Sequence, residues 1–211
     1  DETTLTVMYS VNFILCRRGT MAFVIADLIK DWPCTWLHGS FYEWIRGVKE
    51  DSRDVQSGDI FVVIKGRHDN GATYITEAIQ NGAVCIISEN REDREFCKDV
   101  AFAIVPNTRS FLSHASSRIH GDPSQQLHIV AVTGTNGKTT VSHMIGQLLT
   151  FIGYRTAVIG TLGLYVNGEK ITEKFPSLTT WSATHLHHTF AKLLAMNVTH
   201  VIIEASSMGL A

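Results

Sequence analysis

Ile129-Val130-Ala131-Val132-Thr133-Gly134-Thr135-Asn136-Gly137-Lys138-Thr139-Thr140 passes from an apolar, β-type run through a turn with two glycines into the start of a helix. That order suits a polyphosphate. Small residues let backbone N–H groups converge, and the following helix turns its N-terminal N–H groups and positive dipole end to the same point. On this reading Gly134, Thr135, Asn136, Gly137, Lys138, Thr139 and Thr140 form a nucleotide loop. Lys138 reaches the β- and γ-phosphates, and the Thr139 hydroxyl is placed to hold Mg²⁺. The spacing departs from the general phosphate-loop pattern, because Val132 stands five positions before Gly137 and the loop shortens to G-x-x-G-K-T.

On either side of the loop, strand-like and helix-like segments alternate, which predicts an α/β protein. Upstream, Ile60 to Ile64, Val84 to Ser88 and Ala101 to Val105 read as buried strands. Helical spacing covers Ala72 to Gln80, the charged piece Arg91 to Lys98, and Asn107 to His120. The Gly121-Asp122-Pro123-Ser124 cluster breaks the last of these and sets a predicted domain boundary near residue 124. Downstream come a strand over Leu127 to Thr133, a helix over Lys138 to Phe151, a strand over Thr156 to Ile159 and a hairpin across Asn167-Gly168. A helix over Ser182 to Met196 and a strand over Thr199 to Glu204 complete the series. Residues 1–20 read as an extension, 21–124 as a first unit whose helical pattern starts at Phe23, and 125–211 as a second unit with too few strands to close its sheet.

Composition narrows the partners. With 211 residues, 45% of them hydrophobic, and four prolines, the chain is a packed protein rather than a disordered one. A net charge of −2 without a long Lys/Arg run gives no electrostatic footprint for nucleic acid. The apolar stretch Val7 to Cys16 is interrupted by Ser10 and Asn12, falls short of a spanning helix, and has its basic pair Arg17-Arg18 on the wrong side for a secretory signal. Cys16, Cys34, Cys85 and Cys97 show no C-x-x-C spacing. A small-molecule enzyme of the reducing cytoplasm is expected, monomeric and without a membrane partner.

Three further clusters could carry chemistry. Glu204 ends the apolar run Val201-Ile202-Ile203, and ligands of open α/β sheets gather at the carboxyl ends of strands, so Glu204 is a candidate Mg²⁺ ligand beside the loop. Thr179 and Thr180 offer hydroxyls in a loop before a helix, where helix capping is the plainer alternative. His185, His187 and His188 lack a third ligand type at metal spacing and read as surface histidines.

Taken together, Asp51-Ser52-Arg53 with Gly58-Asp59-Ile60-Phe61-Val62-Val63-Ile64-Lys65-Gly66, the loop Gly134 to Thr140, Thr179-Thr180 and Glu204-Ala205-Ser206-Ser207 resemble the Mur ligase family in order and interval. Asn136 favours its MurE branch over MurF, and cyanophycin synthetases share the loop but not the upstream turn. The resemblance implies a UDP-binding α/β domain followed by part of a central ATPase domain. It implies that Ser52, Arg67, His68 and Asp69 hold the UDP part of a UDP-N-acetylmuramoyl peptide, and that Thr179, Thr180 and Ser206 contact its muramoyl-peptide part. Residues 134–140 would bind ATP, Lys138 and Glu204 would be catalytic, and Thr139 and Glu204 would hold Mg²⁺.

The implied reaction forms an acyl-phosphate on the substrate carboxylate, which an incoming amine then attacks. Such chemistry rests on positioning and charge neutralisation rather than on a nucleophilic side chain. Trp181 and Met208 stand where the family commonly has proline and histidine. The chain also ends at Ala211, ahead of the family's substrate arginine, carbamylated lysine, Asn/Asp/His metal motif and amino-acid-binding domain, so a fragment inactive on its own is expected. The alternatives are a non-catalytic UDP-sugar or nucleotide-binding module and, weakened by the short loop, a phosphate-loop kinase or other NTPase.

Overall fold

The computed structural model describes residues 23–30, 32–40, 42–66, 71–173 and 179–206. The extension 1–20, the residues Arg67, His68 and Asp69, and Ser207 and Met208 lie outside these. The first part of the chain runs β1 (Phe23–Val24), α1 (Ile25–Ile29), β2 (Thr35–His38), β3 (Trp44–Ile45), β4 (Gly47–Lys49), β5 (Asp59–Val62), α2 (Ile75–Gln80), β6 (Cys85–Ser88), β7 (Ala101–Ile104) and α3 (Thr108–Ile119). The second part runs β8 (His128–Val132), α4 (Lys138–Phe151), β9 (Thr156–Gly160), β10 (Gly163–Val166), β11 (Glu169–Lys170), α5 (Ala183–Ala195) and β12 (His200–Glu204).

The first sheet has the order β2-β7-β6-β5-β4, with β4 to β7 parallel and β2 antiparallel at one edge. Its central strands are apolar at nearly every position because both faces are covered. Ile60 and Val62 of β5 point to one face, packed with Phe111, Leu112 and Ala115 of α3 and with Ile25 and Leu28 of α1. Phe61 and Val63 point to the other, with Ile75 and Ala78 of α2. Asn107 caps α3 by accepting the Ser110 N–H at 2.8 Å. The β1–β3 pair forms a separate two-stranded sheet.

Three expected helices are smaller than their patterns; the one over Ala72 to Gln80 begins as a 3₁₀ turn, Gly71–Tyr74, and is α-helical only over Ile75–Gln80. The run from Phe23 opens as a strand and gives a helix of 5 residues. The charged piece from Arg91 is a 3₁₀ turn, Arg91–Phe96, with Asp93 its one buried residue. Few of its side chains meet the core, so little packing favours a longer α-helix there.

The second sheet has the order β11-β10-β9-β12-β8; β8, β12 and β9 are parallel, and β10 and β11 fold back as hairpins. Ala157, Ile159 and Val201 pack with Phe190 and Leu193 of α5. Val158 and Ile202 face α4 on the opposite side, where Gly146 permits close approach: a Cβ there would meet Val158 Cγ2 at 2.6 Å. With β8→α4→β9 crossing on one face and α5 leading into β12 on the other, the carboxyl ends of β8, β9 and β12 lie side by side.

Candidate functional site

The loop after β8 reaches α4 through Gly134 at φ 146° and Gly137 at φ 78°, values that residues with a Cβ rarely adopt. Gly137 is the N-cap of α4, and no side chain caps the helix. The first-turn N–H groups are therefore presented at an exposed loop. Lys138 Nζ bends over that loop, donating to Gly134 O at 2.7 Å and lying 3.4 Å from Thr135 O.

At the end of β12 the Glu204 side chain is 2% exposed. Its Oε2 accepts from the Thr139 hydroxyl at 3.0 Å and lies 3.1 Å from the Thr161 hydroxyl, just past β9. Oε1 is buried and has no hydrogen-bond partner among the described residues. The carboxylate fits because its neighbour across the sheet is Gly160, where a Cβ would come within 2.2 Å of Oε1. A buried carboxylate oxygen left unpaired is costly, and a hard cation is the natural partner for it. Carboxylate and hydroxyl oxygens are the donors that Mg²⁺ prefers, with one or two carboxylates and phosphate oxygens completing its shell.

The site extends from Glu204 through Thr161 to Thr179, whose hydroxyl is 3.1 Å from that of Thr161. Thr180 pairs with Ser206: the hydroxyls are 3.0 Å apart, and Ser206 N–H donates to Thr180 Oγ1 at 2.8 Å. Helix capping is not the task of Thr179 or Thr180, since Ser182 is the N-cap residue of α5. The structure thus brings Thr139, Glu204, Thr179, Thr180 and Ser206 together. Gly160 and Thr161 belong with them, although sequence reasoning missed both. A glycine and threonine before Leu162-Gly163 look like an ordinary turn.

Ser52 lies elsewhere, in a 3₁₀ turn (Ser52–Asp54) on a cleft of about 1010 Å³ between the first sheet and α5. It is buried and donates to Glu77 Oε2 at 2.5 Å, which leaves its oxygen free only to accept. Beside it Arg53 forks onto Asp51, and that hydrogen bonding lowers the Asp51 carboxyl below its ordinary range. Across the cleft Thr184 donates to Glu50 Oε1 at 3.2 Å, and the His120 and His188 rings meet at 5.3 Å. Burial lowers the pKa of His120 to about 4. The reading of three surface histidines is corrected for His187: it is 9% exposed, packed on Phe190, and lowered by burial. Among the described residues no group of three or more His, Cys, Asp or Glu could hold a metal. None of their helices is long and apolar enough to cross a membrane.

Residues 132–211 match the Mur ligase middle domain, and residues 44–120 match the Mur ligase family catalytic domain. A UDP-N-acetylmuramoyl-L-alanyl-D-glutamate--2,6-diaminopimelate ligase of Clostridium tetani is 32% identical over 187 residues, covering 88% of this chain and 38% of the relative. The ligase of the same name from Agrobacterium fabrum is 39% identical over 166 residues, covering 79% of this chain and 32% of its own length. The chain therefore spans about a third of the length of these relatives. A solved structure of a ligase of that name superposes with a TM-score of 0.69 at 26% identity, over 90% of this chain and 37% of its own. MurF from Acinetobacter baumannii shares the fold, with a TM-score of 0.59 at 20% identity, over 89% of this chain and 36% of its own. With both family models placed along it in order, the chain belongs to the Mur ligase family.

Proposed function

We propose that this chain supplies the UDP-substrate-binding and ATP-binding parts of a cytoplasmic ligase that adds an amino acid to UDP-N-acetylmuramoyl-L-alanyl-D-glutamate during peptidoglycan synthesis. Residues 21–124 are the substrate-binding unit and 125–211 the ATP-binding unit. The observation that carries the reading is Glu204: a buried carboxylate at a strand end, hydrogen-bonded to the threonine of a phosphate-type loop, with one oxygen unpaired.

Thr139 and Glu204 would hold Mg²⁺, which when bound supplies charge neutralisation at the β- and γ-phosphates. The loop residues Gly134, Thr135, Asn136, Gly137 and Thr140 cradle the phosphates of ATP with backbone N–H groups. Lys138 leaves its own loop carbonyls to reach the γ-phosphoryl group and stabilise the charge that develops there. Thr179, Thr180 and Ser206 orient the muramoyl-peptide carboxylate toward it. Ser52, with Arg67, His68 and Asp69, holds the UDP end, and the relatives' names support that substrate class.

Calorimetry of the chain with ATP and Mg²⁺ tests the loop. Lys138→Ala removes a charged donor worth about 1.5–3 kcal/mol, so the Kd should rise at least tenfold. Unchanged affinity overturns the assignment. In a parallel NMR titration, UDP-N-acetylmuramic acid should shift amide signals near Ser52 and residues 67–69. Shifts confined to 134–140 would remove Ser52 from the substrate site.

A further inference from the structure

We propose that Thr161 is a positioning residue that holds the Glu204 carboxylate for its cation and ties it to the substrate-side hydroxyl of Thr179; the proposal rests on the nucleotide reading above. Thr161 Oγ1 lies 3.1 Å from Glu204 Oε2 and 3.1 Å from Thr179 Oγ1, yet a hydroxyl has one proton to give. A carboxylate only accepts, so the Thr161 proton goes to Glu204, and the Thr179 hydroxyl stays in polar contact with Thr161 Oγ1.

The Thr139 hydroxyl donates to the same Oε2. Glu204 therefore receives two hydrogen bonds on one oxygen, from opposite elements, while Oε1 is left unpaired against Gly160. When the Thr139 hydroxyl turns to a cation, Thr161 is the donor that remains to keep the carboxylate from rotating. Its position just past β9, in the strand order β9-β12-β8, puts it on the side of Glu204 opposite the loop. The chain Thr139–Glu204–Thr161–Thr179 thus runs from the phosphate loop to the substrate threonines through side-chain polar contacts alone.

The test measures ATP affinity with Mg²⁺ and with EDTA for the 211-residue chain and for the Thr161→Val and Thr161→Ser variants, with thermal melts of each. Thr161→Val should weaken binding about tenfold in Mg²⁺, the equivalent of one hydrogen bond to a charged group, and leave the EDTA value unchanged. Thr161→Ser restores the hydroxyl and should recover the Mg²⁺ increment. Equal losses in Mg²⁺ and EDTA, or failure of serine to rescue, would mean that Thr161 serves only the fold. A Mg²⁺ increment kept by the valine variant would likewise overturn the proposal. Absence of any Mg²⁺ increment in the wild-type chain would instead remove the metal reading on which the proposal stands.

Discussion

Gly160 is needed for space rather than for backbone freedom. It is the last residue of β9, and any Cβ there would stand 2.2 Å from Glu204 Oε1 and 2.4 Å from the carboxyl carbon. Those atoms belong to a side chain held by Thr139 and Thr161, so it cannot swing aside without breaking hydrogen bonds. Gly160→Ala should therefore cost about 1–3 kcal/mol of stability, the usual penalty for overpacking a tight site. It should also remove the Mg²⁺-dependent part of ATP binding. Urea melts and calorimetry of the variant measure the two effects, and wild-type values for both would show that the carboxylate has another place to go. Thr139 and Glu204 were each legible in the sequence, one from a loop and one from a strand end. Gly160 was not, because the need for a glycine arises only once β9 and β12 pair.

At the scale of elements, helix and strand limits were read well where pattern and capping agree. α3 is bounded by Asn107 and His120 as its sequence suggests, and α4 runs from Lys138 to Phe151. What the pattern of α4 conceals is which side faces in. Its buried residues are Ser142 and Gly146, while Met144, Leu148 and Phe151 are 62%, 61% and 89% exposed. Small residues face inward because the helix axis lies close over Val158, and the apolar stripe is left outward on the face of the sheet where Val130 of the edge strand β8 is also exposed. An apolar surface of this kind next to a strand edge drives association. Contrary to the expectation of a monomer, the 211-residue polypeptide should self-associate in light scattering at micromolar concentration. Met144→Lys with Leu148→Lys should lower the measured mass while changing stability by no more than about 0.5 kcal/mol per site, as exposed substitutions do. A mass unaffected by the two lysines would place the association elsewhere.

On the scale of the whole molecule, the two sheets were legible as alternating strands and helices, but the seam between them was not. Glu50 and Thr184, which bond across it, are 134 residues apart, and nothing local marks either as a partner. The short strands β2, β3 and β4 were missed for a related reason: at two to four residues each is too short to show a periodicity and is held by pairing with another strand. The same seam should make the fold sensitive to acid. His120 sits there against His188, with His187 and Lys49 nearby, and its pKa is lowered to about 4, first by burial and then by those positive neighbours. In the unfolded chain a histidine titrates near 6.5. Between those values the unfolded state binds the extra proton, so stability rises with pH across the window and is lost as pH falls through it. His187 and His188 are lowered in the same direction, also by burial, with Asp122 opposing at His187 and Glu173 at His188. Urea denaturation at pH 7.5, 5.5 and 4.5 should therefore show the wild type weakening faster on acidification than His120→Gln, which keeps a polar side chain but binds no proton. Carboxylates common to both proteins cancel in that difference. Parallel loss of stability in the two proteins across the window would show that His120 is protonated in the folded chain as readily as in the unfolded one.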